Sequence, residues 1–280
     1  MKVLVTGFNG QLGFDVVNVL TSRGISCRGA DIADFDITDE NAVREYISSY
    51  SPDAVVHCAA YTAVDKAEED EEKCRLVNAG GTENIAKVCG EKNIKMLYVS
   101  TDYVFAGSGD EPFETDSALG PKNVYGRTKL EGETAVRKYC EKHFIVRTSW
   151  VFGKNGGNFV KTMLRLSSTM DVINVVSDQT GSPTYTPDLA VLICDMIATQ
   201  KYGTYHATNE GYCSWAEFAA KIMELSGADT AIKPILSKDY NAKAQRPHNS
   251  RLSKKSLDEN GFRRLPHWED ALKRYLKEIQ

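Results

Sequence analysis

Tyr125 and Lys129 stand four residues apart in a segment, 124–139, whose apolar spacing is typical of a helix. Residues i and i+4 share one helix face, so the phenol and the ammonium group would be neighbours. A free tyrosine has a pKa of about 10, and a nearby cation favours the phenolate and lowers that pKa. The pair therefore predicts proton transfer by Tyr125, with Lys129 as its cationic partner.

A hydroxyl group at the end of a predicted strand completes this arrangement. The segment 95–100 is typical of a buried strand, and Thr101 follows it directly. Open α/β sheets bind their ligands at the carboxyl ends of parallel strands. We therefore predict that a hydroxyl of the Ser100-Thr101 pair aligns a carbonyl oxygen for Tyr125.

Three glycines, Gly7, Gly10 and Gly13, follow the apolar run 3–5 and open a predicted helix over 10–22. Their spacing is GxxGxxG rather than GxGxxG, so the prediction depends on the strand–turn–helix context. Glycines let the backbone approach a pyrophosphate, and a helix N-terminus supplies amide donors. A tight turn without a ligand is the alternative. We predict that this loop binds the pyrophosphate of a dinucleotide.

The end of the second predicted strand, 25–30, indicates which dinucleotide binds. Asp31 stands there, where an acid commonly binds the adenosine ribose hydroxyls and disfavours a 2′-phosphate. This favours NADH, although Arg28 is close enough in sequence to compensate in part. Asp36 and Ile37 provide a polar and an apolar contact for the adenine ring.

The third predicted strand, 54–57, ends in small residues. The following Cys58-Ala59-Ala60 would let a cofactor lie across the carboxyl end of this strand. His57 ends the strand and could act as a base. We interpret it instead as a hydrogen-bonded structural histidine, because a buried histidine is more often satisfied than reactive.

Strands and helices alternate along the first half of the chain, and this predicts an α/β fold with a Rossmann-like doubly wound parallel sheet. We expect an NAD(P)-binding domain over 1–150, with 170–200 adding to the sheet. A smaller C-terminal α/β substrate lobe would comprise 151–169 and 201–280. A continuous helix is predicted from about 74 to 92. Thr38 and Thr186 are predicted N-caps, and Ser214 with Glu217 fits a capping box.

Composition excludes several other classes of protein. The 280 residues carry a formal net charge of -4, which argues against a nucleic-acid binder. Seven cysteines, none in a CxxC pair, make a zinc site or a disulfide framework improbable and favour a reducing cytoplasm. No signal peptide is visible, and no apolar run approaches the length of a membrane span. A small anionic ligand remains compatible with this charge.

The order of these motifs resembles that of the extended short-chain dehydrogenase/reductases (SDRs), and most closely that of the dTDP-4-dehydrorhamnose reductases. The tryptophan-containing segment RTSWVFG and the strand-end segment STDYVF are the most specific parts of this resemblance. Together the matching segments extend over nearly the whole chain. They are GFNGQLG at 7–13, HCAAYTAVDKAE at 57–68, STDYVF at 100–105, NVYGRTKLE at 123–131, RTSWVFG at 147–153, DQTGSPT at 178–184 and RPHNS at 246–250.

The resemblance implies reduction of the C4 keto group of dTDP-6-deoxy-L-lyxo-4-hexulose to dTDP-L-rhamnose, with NADPH or NADH as cofactor. Thr101, Tyr125 and Lys129 match the catalytic triad. Residues implied to bind the nucleotide-sugar are Thr101, Asp102, Trp150 and Arg246. Residues expected to bind the cofactor are Gly7, Gly10, Gln11, Leu12, Gly13, Asp31, Asp36, Ile37, Ala59, Ala60, Tyr61, Thr62, Val99, Tyr125 and Lys129.

Three points stay open at this stage. The chain could be a monomer or a homodimer. Some relatives form dimers linked by a metal such as Mg²⁺, but no complete set of acidic ligands can be located here, so no metal-binding residue is predicted. The alternatives to the reductase are another nucleotide-sugar SDR, such as an epimerase, and a non-catalytic subunit like the regulatory subunit of methionine adenosyltransferase. Tyr103 stands where related dehydratases have glutamate, which argues against water elimination.

Overall fold

A central sheet of six parallel strands organises the computed structural model, which describes residues 1–279. Its strands are β1 (Lys2–Thr6), β2 (Ser26–Ala30), β3 (Ala54–His57), β4 (Lys95–Thr101), β5 (His143–Thr148) and β10 (Gly203–His206). The spatial order is β10-β5-β4-β3-β1-β2. The order reverses between β1 and β3, and a crevice for ligands forms at such a reversal. The predicted doubly wound fold is confirmed.

Helices cover both faces of this sheet. In chain order they are α1 (Gln11–Ser22), α2 (Glu40–Tyr50), α3 (Val64–Ala67), α4 (Glu71–Arg75), α5 (Thr82–Glu91), α6 (Val124–Tyr139), α7 (Phe159–Ser167), α8 (Thr186–Ile197), α9 (Trp215–Ser226), α10 (Lys255–Glu259) and α11 (Trp268–Ile279). Val16 of α1 and Ile193 of α8 pack on one face, and Ile47 of α2 and Ile85 of α5 pack on the other. Within residues 1–279, no helix is both long and apolar enough to cross a membrane.

A second hydrophobic core lies beneath short strands near the carboxyl edge of the sheet. Phe152, Phe218, Trp268 and Tyr275 are buried together there. The short strands are β6 (Val151–Phe152), β7 (Val172–Val176), β8 (Thr180–Gly181), β9 (Thr184–Tyr185), β11 (Cys213–Ser214) and β12 (Ala231–Ile235). The elements of the second half thus pack around aromatic residues of their own.

The segment 170–200 differs in part from its expected place in the sheet. Strand β7 pairs in parallel with β12 and stays outside the central sheet. The sixth strand of the sheet is β10, whose Tyr205 is buried in the core on the α1 side. Helix α8 does pack against that side of the sheet. Segment 170–200 therefore contributes a covering helix, and the boundary between the two predicted domains stays a prediction.

Three local predictions differ from the structure, and one is confirmed. Asp39, and not the predicted Thr38, caps α2, because the Asp39 carboxylate accepts the backbone N–H groups of Asn41 and Ala42. Tyr185 is the N-cap residue of α8, and the Thr186 hydroxyl donates instead to the Asp15 carboxylate. The helix expected from 74 to 92 is interrupted by a π-helical turn over Leu76–Gly81. The capping box at the start of α9 is confirmed.

Candidate active site

A cavity of about 740 Å³ follows the carboxyl edge of the sheet from the glycine loop to Trp150. It collects most of the residues that the sequence analysis selected, although they come from distant parts of the chain. Tyr61 and Arg246 are the two selected residues that do not line it. Those that do are Gly7, Gly10, Gln11, Leu12, Gly13, Asp31, Asp36, Ile37, Ala59, Ala60, Thr62, Val99, Thr101, Asp102, Tyr125, Lys129 and Trp150.

Close backbone packing shapes the glycine loop. Gly7 has φ 67°, and a Cβ atom there would lie 2.6 Å from the Ala59 nitrogen. A Cβ on Gly13 would lie 2.3 Å from the Gly7 carbonyl oxygen. Helix α1 begins at Gln11, directly after this turn, and its first residues, 11–13, line the cavity. This cradle fits the pyrophosphate of a dinucleotide.

A second loop, residues 153–158, holds the glycine loop from the other side. The Asn155 amide donates to the carbonyl oxygen of Asn9 at 2.6 Å. The Asn158 amide donates to Gln11 Oε1 at 3.1 Å. This loop was not predicted from the sequence, although a polar run rich in asparagine and glycine directly after a strand was a visible signal.

The carboxylate of Asp31 lies in the cavity at the end of β2. It accepts the backbone N–H groups of Asn9 at 3.2 Å and Ile32 at 2.8 Å. Arg28, which was expected to compensate in part, turns away from the cavity. Its guanidinium lies over the Tyr50 ring, 4.4 Å from the ring centre. In the described cavity, Arg28 therefore provides no counter-charge for a 2′-phosphate beside Asp31.

Tyr125, Thr101 and Asp102 meet at the middle of the cavity. The Thr101 hydroxyl donates to Asp102 Oδ1 at 3.0 Å. Burial raises the pKa of Asp102 to about 6. Burial, followed by the charge of Asp102, raises the pKa of Tyr125 above its ordinary value, while the Thr101 hydroxyl opposes this shift. The phenol is therefore held in its protonated form.

The ammonium group of Lys129 is also buried, and its side chain is 3% exposed. Its Nζ lies 4.0 Å from the centre of the Tyr98 ring. Burial lowers the pKa of Lys129 to about 7, and the charge of Glu133 acts in the opposite direction. The expected lowering of the Tyr125 pKa by Lys129 is not found, because burial dominates the pKa of both groups.

Trp150 lines the cavity in an uncommon backbone conformation, with φ 49°. A bulky residue in this left-handed region is strained, and such strain often accompanies a functional site. The indole lies flat on that of Trp215, with ring centroids 3.7 Å apart. Trp215 also lines the cavity. Trp215 was not predicted from the sequence, since its proximity to Trp150 arises only from the tertiary fold.

Arg246 and Tyr61 have other partners. The Arg246 guanidinium binds both carboxylate oxygens of Asp65, at 3.1 and 2.7 Å. The backbone N–H and carbonyl of Tyr61 are both bound by the Asn78 side chain. The structural interpretation of His57 is confirmed, because its two ring nitrogens contact the hydroxyls of Thr6 and Thr82 at 2.7 and 3.1 Å.

Comparisons with known proteins identify relatives that match over essentially the whole chain. The family described as RmlD substrate binding domain matches residues 1–280. The spore coat polysaccharide biosynthesis protein SpsK of Bacillus subtilis is 42% identical over 99% of this chain and 97% of its own length. The dTDP-4-dehydrorhamnose reductase of Escherichia coli is 38% identical over 100% of this chain and 98% of its own length.

Among solved structures, dTDP-4-dehydrorhamnose reductase from Bacillus anthracis in complex with NADP superimposes with a TM-score of 0.97. It is 41% identical and covers 99% of this chain and 100% of its own. Family match, sequence identity and fold all extend over essentially the whole chain. The chain therefore belongs to the RmlD family of dTDP-4-dehydrorhamnose reductases.

Proposed function

We propose that this chain reduces the C4 keto group of dTDP-6-deoxy-L-lyxo-4-hexulose to a hydroxyl, giving dTDP-L-rhamnose with NADPH or NADH as reductant. One observation carries the proposal. Tyr125, Thr101 and Lys129 line the same cavity as the glycine loop. A proton donor and a pyrophosphate cradle therefore share one cleft, as a nicotinamide-dependent ketoreductase needs.

The residues around the cradle fit a nicotinamide dinucleotide. The Gly7–Gly13 turn and the first amides of α1 would hold the pyrophosphate, and Asp31 would bind the adenosine ribose. Lys129 would bind the nicotinamide ribose from the floor of the cavity. When bound, the reduced cofactor supplies the hydride that attacks the carbonyl carbon.

Tyr125 supplies the proton in this proposal. Hydride addition to the carbonyl carbon moves the C=O π electrons onto oxygen, and this oxygen then takes the phenolic proton. The raised pKa of Tyr125 keeps the phenol protonated at neutral pH, as a donor must be. The Thr101 hydroxyl lies beside it and would orient the carbonyl oxygen by turning its single proton from Asp102 to that oxygen. A developing alkoxide is a far stronger base than phenolate, so the transfer is favourable.

Aromatic and charged groups in and beside the cavity would hold the nucleotide-sugar. The Trp150 indole would pack against it, and its stack on Trp215 fixes the orientation of the ring. Asp102 would bind sugar hydroxyls. The Arg246 guanidinium is held by both carboxylate oxygens of Asp65, through one N–H of each terminal nitrogen. Its remaining N–H donors would be the ones that bind a diphosphate.

A coupled assay tests this function directly. dTDP-glucose is converted by the upstream dehydratase and epimerase, the chain is added, and loss of NADPH or NADH absorbance is followed. We expect turnover that requires all three proteins and a product that co-elutes with dTDP-L-rhamnose. A parallel assay without the epimerase tests whether the chain also accepts the non-epimerised 4-keto sugar. Absence of turnover with both NADPH and NADH would refute the proposal.

A further inference from the structure

A fully buried carboxylate, Glu133, lies one helical turn beyond Lys129 on α6. It accepts hydrogen bonds from the Ser100 hydroxyl at 2.6 Å and from Arg147 Nε and Nη2 at 2.8 Å each. Arg137 Nη2 donates to it at 2.8 Å. Glu133 does not itself line the cavity, but its two buried partners, Ser100 and Arg147, stand at strand ends beside the cavity.

Those partners belong to the ends of two neighbouring strands. Ser100 and Arg147 face each other across the β4–β5 pair. Ser100 itself lines the cavity and directly precedes Thr101, Arg147 directly precedes Thr148, and both threonines also line the cavity. One carboxylate therefore ties both strand ends to the helix that carries the tyrosine and the lysine.

Charge makes this connection strong. Arg147 is 1% exposed and has one other strong partner, the Thr115 carbonyl oxygen at 3.0 Å. A buried guanidinium requires an anion, and a bidentate carboxylate is its best geometric match. Although burial opposes ionisation, Arg147, Ser100 and Arg137 hold the pKa of Glu133 below its ordinary value. The carboxylate is therefore ionised throughout the range in which an enzyme would be assayed.

We propose that Glu133 is a positioning residue for the reduction, holding the Thr101 strand end in place against the Tyr125 face of α6. This inference rests on the proposed function. A carbonyl reduction needs the aligning hydroxyl and the proton donor at fixed separation, and small misplacements far from the chemistry slow a reaction strongly. The hydrogen bond from Ser100 to Glu133 is the link that sets the position of Thr101.

Two matched single substitutions separate positioning from stability. Ser100→Ala removes the link to the strand end and leaves the buried ion pair intact. Arg137→Gln also removes one hydrogen bond from Glu133, but on the solvent side, where Arg137 is 37% exposed. The quantities to measure are kcat and KM in the coupled assay, Kd for NADPH by fluorescence, and Tm.

We expect Ser100→Ala to lower kcat about tenfold, with KM and the NADPH Kd within about twofold of wild type. Arg137→Gln should keep kcat within about twofold. Ser100→Thr, which retains a hydroxyl, should recover most of the lost kcat.

Equal kcat in Ser100→Ala and wild type would overturn the inference, and so would equal losses in Ser100→Ala and Arg137→Gln. A loss confined to Tm or to the NADPH Kd would also overturn it. Failure of the proposed function can be distinguished from these outcomes, because the wild-type chain itself would then show no turnover in the coupled assay.

Discussion

The backbone of Gly7 lies so close to Ala59 that a side chain at Gly7 would push the ends of two strands apart. A Cβ atom would sit 2.6 Å from the Ala59 nitrogen, and φ at Gly7 is 67°. Gly7 follows β1 and Ala59 follows β3, the neighbours between which the strand order reverses. The close approach therefore forms the floor of the proposed pyrophosphate cradle.

Gly7→Ala tests this relationship, with Gly24→Ala as the matched control. Gly24 has φ 66° as well, but a Cβ there meets nothing within 4 Å. The control should lose about 1–2 kcal/mol of unfolding free energy from backbone strain alone. Gly7→Ala should lose more and should bind NADPH at least about tenfold more weakly. Urea unfolding and fluorescence titration measure the two effects, and equal NADPH binding by both variants would contradict the role given to Gly7.

The assignment of Tyr125 as proton donor is tested against its neighbour Tyr103. The two rings meet edge to face with centroids 5.6 Å apart, and both residues line the cavity. Tyr125→Phe should lower kcat about 100-fold or more, because no other group replaces the lost phenolic proton. NADPH affinity should change less than about twofold. Tyr103→Phe should stay within about threefold of wild-type kcat, and a reversed ranking would give Tyr103 the donor role.

Asp31 is predicted to set the choice between NADH and NADPH. Its carboxylate would repel a 2′-phosphate, and Arg28 is occupied on the Tyr50 ring. Asp31→Ala should raise the ratio of kcat/KM for NADPH to that for NADH about tenfold, as one lost like-charge contact implies. Asp34→Asn removes the same charge from the same turn outside the cavity, while its amide oxygen can still accept the Asp31 backbone N–H that the Asp34 carboxylate accepts at 2.8 Å, so its ratio should be unchanged. Equal ratios in wild type and Asp31→Ala would remove Asp31 from this role.

Local sequence signals were sufficient for most of the fold and for much of the cavity. The glycine loop, Thr101 and the Tyr125–Lys129 pair could be placed because each lies at a strand end or on one helix face. The position of the Trp215 side chain could not be predicted, since only the tertiary packing of α9 brings Trp215 onto Trp150. Contacts between distant segments are set by tertiary packing rather than by periodicity.

Two other expectations differ from the structure in features that spacing along the sequence does not reveal. The helix expected from 74 to 92 is interrupted at Leu76–Gly81, a turn that contains Asn78, and the Asn78 side chain bonds the backbone of Tyr61, 17 residues earlier. The expected lowering of the Tyr125 pKa is replaced by a raised pKa, which reflects burial.

Two buried histidines should make the protein less stable in mild acid. Burial lowers the pKa of both His57 and His206 to about 3, whereas an unfolded histidine titrates near about 6.5. Between these values the unfolded chain binds more protons, so the unfolding free energy falls as the pH falls. Each histidine should remove about 2 kcal/mol between pH ~7 and ~5. Asp102 acts in the opposite sense, because burial raises its pKa to about 6. Its protonation in the folded state adds about 1 kcal/mol to the unfolding free energy over the same interval.

Urea unfolding at the two pH values measures the net loss of unfolding free energy. The His57→Gln variant shows which part of that loss comes from His57. The glutamine amide can still hydrogen bond the Thr6 and Thr82 hydroxyls that flank His57, but it does not titrate. The variant should therefore be less sensitive to pH by about 2 kcal/mol, whatever its stability at neutral pH. An identical loss in His57→Gln and wild type would show that His57 is not protonated on unfolding in this range. The acid sensitivity would then have to come from His206 or from other groups.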